Sequence, residues 1–377
     1  MRSLLLALLL PALLAAAPAR AQLVPPPPAL AGKSWVLLDD TTRQFLVMQA
    51  PEERVEPASL TKLMTAYLVF QALRQGSLKP DQTVTVSERA WKATGSRMFV
   101  EPRKPVTVDE LVRGMIIISG NDASIALAEA VAGTEDAFAQ LMNREAQRLG
   151  LKNTHFVNAT GLPDAQHYST ARDLALLASA VIRDFPEYYP LYSEREYRYN
   201  NIRQSNRNRL LWSDPTVDGM KTGFTEAAGY CLVSSAKRGE RRLVSVVLGT
   251  GSDSARAAES QKLLNYGFQY YDMVRLYGRD QKISDLKVFK GASNTVPAGF
   301  RNDLLVAVPK GMGNKLQAQL ESQQPLVAPL DRDQTVGTLR VTLDGKPIGD
   351  YPVLALEGVP VAGIFGRAWD SMRLLFK

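Results

Sequence analysis

A serine followed three positions later by a lysine can perform acyl transfer, because the lysine amine can accept the serine proton when both side chains lie on one face of a helix. The pattern alone is weak, since roughly one chance match is expected in a chain of this length. The 377-residue chain contains three matches: Ser59/Lys62, Ser234/Lys237 and Ser284/Lys287. Their surroundings must decide between them.

The surroundings favour Ser59 and Lys62. Apolar residues at helical spacing follow Ser59, which predicts a buried helix that starts close to this serine. The free amides and the positive end of a helix stabilise an alkoxide. Ser234 and Ser284 lie in predicted strands, where residues three apart point to opposite faces. We therefore expect only the first pair to work together.

Two further motifs follow this pair in the chain. Ser119-Gly120-Asn121 and Lys221-Thr222-Gly223 each occur once. With them, the chain resembles the serine penicillin-recognising enzymes, whose signature is Ser-x-x-Lys, then Ser-x-Asn, then Lys-Thr-Gly. The order of the three motifs is the same here.

The resemblance narrows to the low-molecular-mass D-Ala-D-Ala carboxypeptidases of peptidase family S11. The segments that carry it are residues 57–65, 153–156, 161–163, 167–173, 206–208, 218–223 and 258–260. It extends from about residue 34 to the end of the chain. It implies a serine-type carboxypeptidase that removes the terminal D-alanine from peptidoglycan stem pentapeptides through an acyl-enzyme and binds penicillin covalently.

The resemblance also implies a role for each motif residue. Ser59 is expected to be the nucleophile, and Lys62, as a neutral amine, its base. Ser119 would relay the proton to the leaving D-alanine, and the Asn121 amide would hold the substrate backbone. A neutral lysine needs a lowered pKa, which burial and a nearby cation such as Lys221 would supply.

The remaining predicted contacts are with the two negative groups of the reacting substrate, its terminal carboxylate and the oxyanion of the tetrahedral intermediate. The terminal carboxylate of the substrate is expected to bind Lys221, Thr222 and Arg207. Recognition of this carboxylate favours exopeptidase over endopeptidase activity. The backbone N–H groups of Ser59 and Phe224 are expected to form the oxyanion hole. Phe224 stands where some family members carry a histidine, so the backbone donor is kept while side-chain contacts to ligand change.

Other polar residues are weaker candidates. Arg256 is a further residue that could receive substrate. His155 and His167 are expected to be structural, because the serine already has a lysine beside it. With two histidines and the single Cys231, which is predicted to be buried, the chain shows no zinc spacing, and the chemistry needs neither a metal nor a cofactor.

The elements that must position these residues follow from hydrophobic periodicity. Strands are predicted around a helical middle that breaks near Ser119, and Thr170 is a candidate helix cap. After about residue 280 only short alternating runs remain. The expected fold class is therefore α/β, a serine β-lactamase/transpeptidase-like catalytic domain followed by a small all-β domain and a C-terminal amphipathic helix. The predicted elements are a hairpin at 34–48, helices from 59, within 107–150, at 171–182 and at 257–270, and a hairpin at 230–248.

The two ends of the chain predict export and membrane attachment. An apolar run from Leu4 to Ala17 follows Arg2, and small residues lead to a cut after Ala21. The last fifteen residues place an apolar stripe opposite a charged face, as in helices that lie in a membrane interface. The predicted parts are a signal peptide at 1–21, a Pro-rich linker at 22–33, a catalytic domain at 34–276, an all-β domain at 277–362 and an anchor helix at 363–377.

These parts predict a periplasmic protein that is peripherally attached to the outer face of the cytoplasmic membrane. The net charge of +7 suits an anionic partner. The expected partners are the peptidoglycan stem peptide, β-lactam antibiotics as covalent inhibitors and the membrane surface. Export makes nucleic acid the poorest candidate.

Three alternatives share some of these features. A class A β-lactamase needs a positioned glutamate, and residues 153–169 contain none. A D,D-endopeptidase of the same superfamily usually ends after the catalytic domain. A non-catalytic β-lactam-binding or wall-binding module would carry a broken Ser59, Lys62 or Lys221, and all three are intact.

Overall fold

The computed structural model describes residues 25–363. The predicted signal peptide and the predicted C-terminal helix beyond Gly363 lie outside these residues. The α-helices are α1 (Lys62–Arg74), α2 (Glu88–Trp91), α3 (Val108–Arg113), α4 (Asn121–Ala132), α5 (Glu135–Arg148), α6 (Ala171–Asp184), α7 (Leu210–Ser213) and α8 (Asp253–Tyr270). A 3₁₀ turn, Ala58–Thr61, precedes α1, and a π-helical turn, Gly114–Ile118, follows α3.

The strands fall into two groups along the chain. Those of the first part are β1 (Ser34–Asp39), β2 (Gln44–Gln49), β3 (Thr83–Val84), β4 (Val106–Thr107), β5 (Glu196–Tyr199), β6 (Ile202–Ser205), β7 (Val217–Thr225), β8 (Gly229–Arg238) and β9 (Arg241–Thr250). Those of the second part are β10 (Tyr271–Tyr277), β11 (Lys282–Phe289), β12 (Thr295–Gly299), β13 (Leu304–Pro309), β14 (Leu316–Ser322), β15 (Leu326–Val327), β16 (Thr335–Leu343) and β17 (Lys346–Ala355).

A five-stranded antiparallel sheet in the order β2-β1-β9-β8-β7 forms the centre of the first part. β1 is buried along its length because both of its faces are covered. Val36 and Leu38 face a core shared with α1, α4 and α6, and Trp35 and Leu37 face a core under α8. This arrangement leaves β7 as an edge strand.

The helical middle is confirmed, including its break. The predicted cap Thr170 accepts a hydrogen bond from the Asp173 N–H at the start of α6. The break falls at Ser119, whose left-handed backbone (φ 67°) separates the π-helical turn from α4. The two predicted hairpins, at 34–48 and 230–248, are β1–β2 and β8–β9.

The second part is all-β, as predicted. Its six-stranded sheet has the order β14-β16-β17-β12-β11-β15 and its own apolar core. α8 continues directly into β10, which pairs with β13. The side chain of Gln44 in β2 accepts a hydrogen bond from the N–H of Ala307 in β13 and so links the two parts.

The proline-rich segment lies against the folded protein in the described region. The hydroxyl of Tyr266 in α8 donates to the carbonyl of Pro25, and Lys33 donates from its N–H to Leu248. The segment from Pro25 onward therefore contacts α8 rather than standing away from it. Between residues 25 and 363 the chain forms no helix with the length and apolar character needed to cross a membrane.

Candidate active site

The predicted site residues surround one cavity of about 610 Å³ beside the edge strand β7. Lys62 and Lys221 are buried under its floor, with exposed fractions of 1% and 3%. The other predicted residues line the cavity itself: Ser59, Ser119, Asn121, Arg207, Thr222 and Phe224. The fold thus brings together residues that lie up to 165 positions apart in the sequence, from Ser59 to Phe224.

Ser59 lies in the 3₁₀ turn before α1, half-buried at the cavity wall. The preceding Ala58 has a left-handed backbone (φ 49°), which is unfavourable for a residue with a Cβ. Gly161 packs against this turn so closely that a Cβ on it would lie 1.8 Å from the Ala58 carbonyl oxygen. The turn that presents Ser59 is therefore held by close packing from the loop at 153–169.

Lys62 is one helical turn further, and three oxygen atoms lie within hydrogen-bond distance of its amine. Its Nζ lies 3.0 Å from Ser59 Oγ, 2.7 Å from Asn121 Oδ1 and 2.6 Å from the Thr160 carbonyl oxygen. The last two are pure acceptors. The Asn121 and Thr160 oxygens fix the orientation of the amine, so that the remaining tetrahedral position of the nitrogen faces Ser59.

Burial lowers the pKa of Lys62 to about 7, and the positive charge of Arg207 adds to this effect. Of the two causes predicted from the sequence, burial is present, and the nearby cation is Arg207 rather than Lys221. Burial also lowers the pKa of Lys221 well below its usual range, together with the charges of Lys62, Arg207 and Arg256. The charge of Lys62 therefore disfavours protonated Lys221, and a neutral Lys62 is accessible near neutral pH.

Ser119 joins the second lysine to the cavity. Its Oγ accepts a hydrogen bond of 2.8 Å from Nζ of Lys221, which also donates to the Thr222 carbonyl. Because Ser119 has left-handed backbone angles between two helical segments, its side chain is held at the cavity wall. Its hydroxyl proton is free to point toward a bound substrate.

Asn121 has a contact that the sequence did not suggest. Its Oδ1 accepts from Lys62, and its Nδ2 donates to the Thr94 carbonyl at 2.6 Å. Both ends of the amide are thus used to orient the lysine and to hold the loop at 94–100. Substrate binding by Asn121, as predicted, would have to share these contacts.

The strand β7 runs next to the nucleophile. A Cβ on Gly223 would lie 3.1 Å from the Pro57 carbonyl oxygen and 3.2 Å from the Ala58 Cβ, which is tighter than most such contacts, so glycine favours this close approach. The Phe224 ring is 45% exposed and packs on Tyr230 with ring centroids 4.4 Å apart. The backbone of Phe224 is therefore held at the cavity while its side chain forms an apolar wall.

The arginines around the cavity differ in their partners. Arg209 and Arg256 both form ion pairs with Asp253. Arg207 is exposed and forms no ion pair or side-chain hydrogen bond with any residue between 25 and 363. Among these three, Arg207 is the guanidinium available to a carboxylate ligand.

Two residues that support the site, Asp122 and Thr160, were not predicted from the sequence. Asp122 accepts hydrogen bonds from the N–H groups of Met98, Phe99 and Val100 and so fixes a cavity wall. Asp122 directly follows the Ser119-Gly120-Asn121 motif, and this position could have indicated a role beside the site. The Thr160 carbonyl that binds Lys62 is a main-chain atom, and no residue type in the sequence could have indicated it.

The chain is similar to known proteins over both of its parts. A family model described as D-alanyl-D-alanine carboxypeptidase matches residues 21–252, and one described as the penicillin-binding protein 5 C-terminal domain matches residues 271–361. The D-alanyl-D-alanine carboxypeptidase DacC of Escherichia coli is 44% identical over 358 residues, which cover 93% of this chain and 89% of that protein.

Solved structures show the same architecture. Penicillin-binding protein 5 from Haemophilus influenzae superimposes with a TM-score of 0.84 at 40% identity, covering 89% of this chain and 99% of that chain. Penicillin-binding protein D2 from Listeria monocytogenes in its ampicillin-bound form has a TM-score of 0.60 at 31% identity, over 65% of this chain and 100% of that chain.

The resemblance drawn from the three motifs is thus confirmed, as are the predicted α/β catalytic domain, the all-β domain that follows it and the carboxypeptidase function. The predicted C-terminal amphipathic helix lies outside the described residues. The β domain is part of the match, since a separate family model covers it. The chain belongs to the peptidase S11 family of D-alanyl-D-alanine carboxypeptidases.

Proposed function

We propose that Ser59 attacks the carbonyl between the two terminal D-alanines of a stem pentapeptide and that neutral Lys62 accepts its proton. The contacts of the Lys62 amine are the main support. A neutral amine has two N–H groups and one lone pair, and the carbonyl oxygens of Asn121 and Thr160 accept the two N–H groups. The lone pair then faces Ser59 Oγ at 3.0 Å.

The backbone N–H groups of Ser59 and Phe224 stabilise the negative oxygen of the tetrahedral intermediate. The position of Phe224 on an edge strand supports this role, because an edge strand has N–H groups that pair with no other strand. The close approach of Gly223 to the Ser59 turn brings the two donors to the same side of the cavity. Fixed donors of this kind contribute a large part of catalysis in acyl transfer.

As the tetrahedral intermediate collapses, Ser119 gives its hydroxyl proton to the leaving D-alanine amine and takes in its place the proton that Lys62 accepted from Ser59. Its hydrogen bond with Lys221 supports this role, since the lysine N–H holds the Ser119 oxygen and leaves the hydroxyl proton for the substrate. The C–N bond breaks, the acyl group stays on Ser59, and D-alanine leaves. Water then hydrolyses the ester.

Lys221, Thr222 and Arg207 bind the terminal carboxylate of the substrate, and Asn121 contacts its backbone. The guanidinium of Arg207 supports this assignment, because it lies at the cavity wall and forms no ion pair within the described part of the chain. A bound carboxylate favours protonated Lys221 by opposite charge. The same groups suit the carboxylate of β-lactams, which would acylate Ser59 as substrate analogues.

The enzyme acts in the periplasm, after export by the signal peptide at 1–21. It is peripherally attached to the outer face of the cytoplasmic membrane by the amphipathic helix at 363–377. The catalytic domain at 34–276 and the all-β domain at 277–362 follow the linker at 22–33, and the β domain spaces the site from the membrane. Fractionation of the full chain and of a chain ending at residue 362 tests the attachment: only the full chain should sediment with membranes, and equal sedimentation of both would contradict it.

Mass spectrometry of the protein treated with benzylpenicillin tests the assignment of the nucleophile. We expect one penicilloyl group per chain, located on the peptide that contains Ser59, and none in the Ser59→Ala variant. Ser234→Ala is the matched control, because Ser234 heads another Ser-x-x-Lys match but lies buried in β8. An adduct on any other peptide, or an adduct retained in Ser59→Ala, would refute the assignment.

A further inference from the structure

The buried guanidinium of Arg256 contacts the main chain behind the proposed oxyanion hole. Its Nη1 donates to the Gly223 carbonyl oxygen at 3.1 Å. This carbonyl and the Phe224 N–H belong to one peptide unit, which is trans. In a planar trans unit the C=O and the N–H point in opposite directions. Arg256 therefore binds the rear of the unit whose N–H faces the substrate oxygen.

We propose that Arg256 is a positioning residue that orients and polarises the Phe224 N–H for the oxyanion. The inference rests on the proposed function, which assigns that N–H to the oxyanion hole. A hydrogen bond from a cation to the C=O draws electron density through the peptide unit and strengthens its N–H as a donor. The same bond limits rotation of the unit, so that the donor is fixed before the reaction starts.

The surroundings of Arg256 hold it in this position. Its exposed fraction is 5%, and it forms an ion pair with Asp253, which also binds Arg209. Its guanidinium lies 5.5 Å from the centre of the Tyr230 ring, and that ring packs on Phe224. Arg256 differs in this from Arg207, whose guanidinium has no such partner among residues 25–363 and is available to substrate.

The two arginines should therefore affect different steps. Charge on the substrate oxygen appears only in the transition state, so loss of polarisation lowers kcat with little change in KM. Loss of a carboxylate contact weakens ground-state binding and raises KM. We expect Arg256→Gln to lower kcat about tenfold, below the 10²- to 10³-fold loss typical of removing an oxyanion donor itself. Arg207→Gln should instead raise KM.

Infrared difference spectroscopy of the acyl-enzyme measures the oxyanion hole directly. Benzylpenicillin labelled with ¹³C at the β-lactam carbonyl gives the stretch of the Ser59 ester, which moves to lower wavenumber as donors polarise it. Arg256→Gln should move the stretch to higher wavenumber, and Asp253→Asn should move it in the same direction by less. The control Lys262→Gln, which removes another cation of α8 that pairs with Glu259, should leave it unchanged.

An unchanged stretch in Arg256→Gln overturns the inference, whatever the kinetics. If Arg256→Gln does not fold, an unchanged carbonyl stretch in Asp253→Asn overturns the inference instead. Phe224→Pro separates this failure from failure of the proposed function, because proline removes the donor and is tolerated on an edge strand. A shift in Phe224→Pro without one in Arg256→Gln rejects only the role of Arg256. An unchanged stretch in Phe224→Pro rejects the oxyanion hole itself.

Discussion

Nε2 of His167 lies 2.8 Å from Oγ1 of Thr61, two residues after the proposed nucleophile Ser59. The Val157 N–H donates to Nδ1 of the same ring, so the ring carries its proton on Nε2 and donates it to Thr61. A neutral imidazole therefore ties the loop at 153–169 to the turn that presents Ser59. This agrees with the structural role expected of His167 from the sequence.

The neutral state of His167 predicts a pH dependence of stability. Burial lowers its pKa to about 4, whereas the unfolded chain has the ordinary value of 6.5. Between these values only the unfolded state binds the proton, so the free energy of unfolding decreases as the pH falls below about 6.5. The loss from this residue should reach about 2 kcal/mol at pH 5. Urea unfolding at pH 7.5 and pH 5.0 measures it.

The control for this prediction is His167→Gln, which can still donate and accept hydrogen bonds but does not titrate. The variant should lose about 2 kcal/mol less than the wild type between the two pH values. The same pH dependence in both proteins would show that other groups are responsible.

The pKa of Lys62 predicts the pH profile of acylation. The base is the neutral amine, so acylation by benzylpenicillin should rise with pH through about 7 and then level off. Lys62→Arg keeps a cation but holds its proton at every accessible pH, and acylation should fall at least 10²-fold. Stopped-flow acylation rates between pH 5.5 and 9 test this. A flat profile, or a Lys62→Arg variant of normal rate, would contradict it.

The contact between Asn121 and Lys62 predicts a shift of that profile. Asn121→Asp places a carboxylate 2.7 Å from the amine and favours its protonated form, which raises the pKa of Lys62. The rising limb of acylation should move up by more than one pH unit, and the rate at pH 7 should fall about tenfold. Asn121→Ala should slow acylation through poorer orientation of Lys62 without this upward shift. An unmoved limb in Asn121→Asp would reject the contact.

The sequence predicted the secondary-structure elements and the proposed reacting side chains better than the contacts that position those side chains. Period-two and helical patterns located the two main hairpins and the helices, and three short motifs indicated Ser59, Lys62, Ser119 and Lys221, which the fold brings into two hydrogen-bonded pairs. The contacts of Lys62 with the Thr160 carbonyl and of Arg256 with the Gly223 carbonyl involve main-chain atoms, which every residue has. Their positions depend on how distant segments fold together, so no residue pattern indicates them.

Gly161 predicts a difference between two otherwise similar substitutions. Gly161 and Gly150 both have left-handed backbones, with φ of 81° and 74°. A Cβ at Gly150 meets no atom within 4 Å, so Gly150→Ala should cost only about 1 kcal/mol of backbone strain. At Gly161 it would overlap the Ala58 carbonyl, so Gly161→Ala should cost more than about 3 kcal/mol and displace Ser59. Urea unfolding and acylation rates compare the two variants, and equal losses would contradict the packing argument.

Release of D-alanine from a stem pentapeptide tests the central claim most directly. The wild-type enzyme should release one D-alanine per peptide and turn over benzylpenicillin slowly, and Ser59→Ala should release none. Release of D-alanine by Ser59→Ala, or rapid penicillin hydrolysis without release of D-alanine by the wild type, would contradict a carboxypeptidase that works through Ser59.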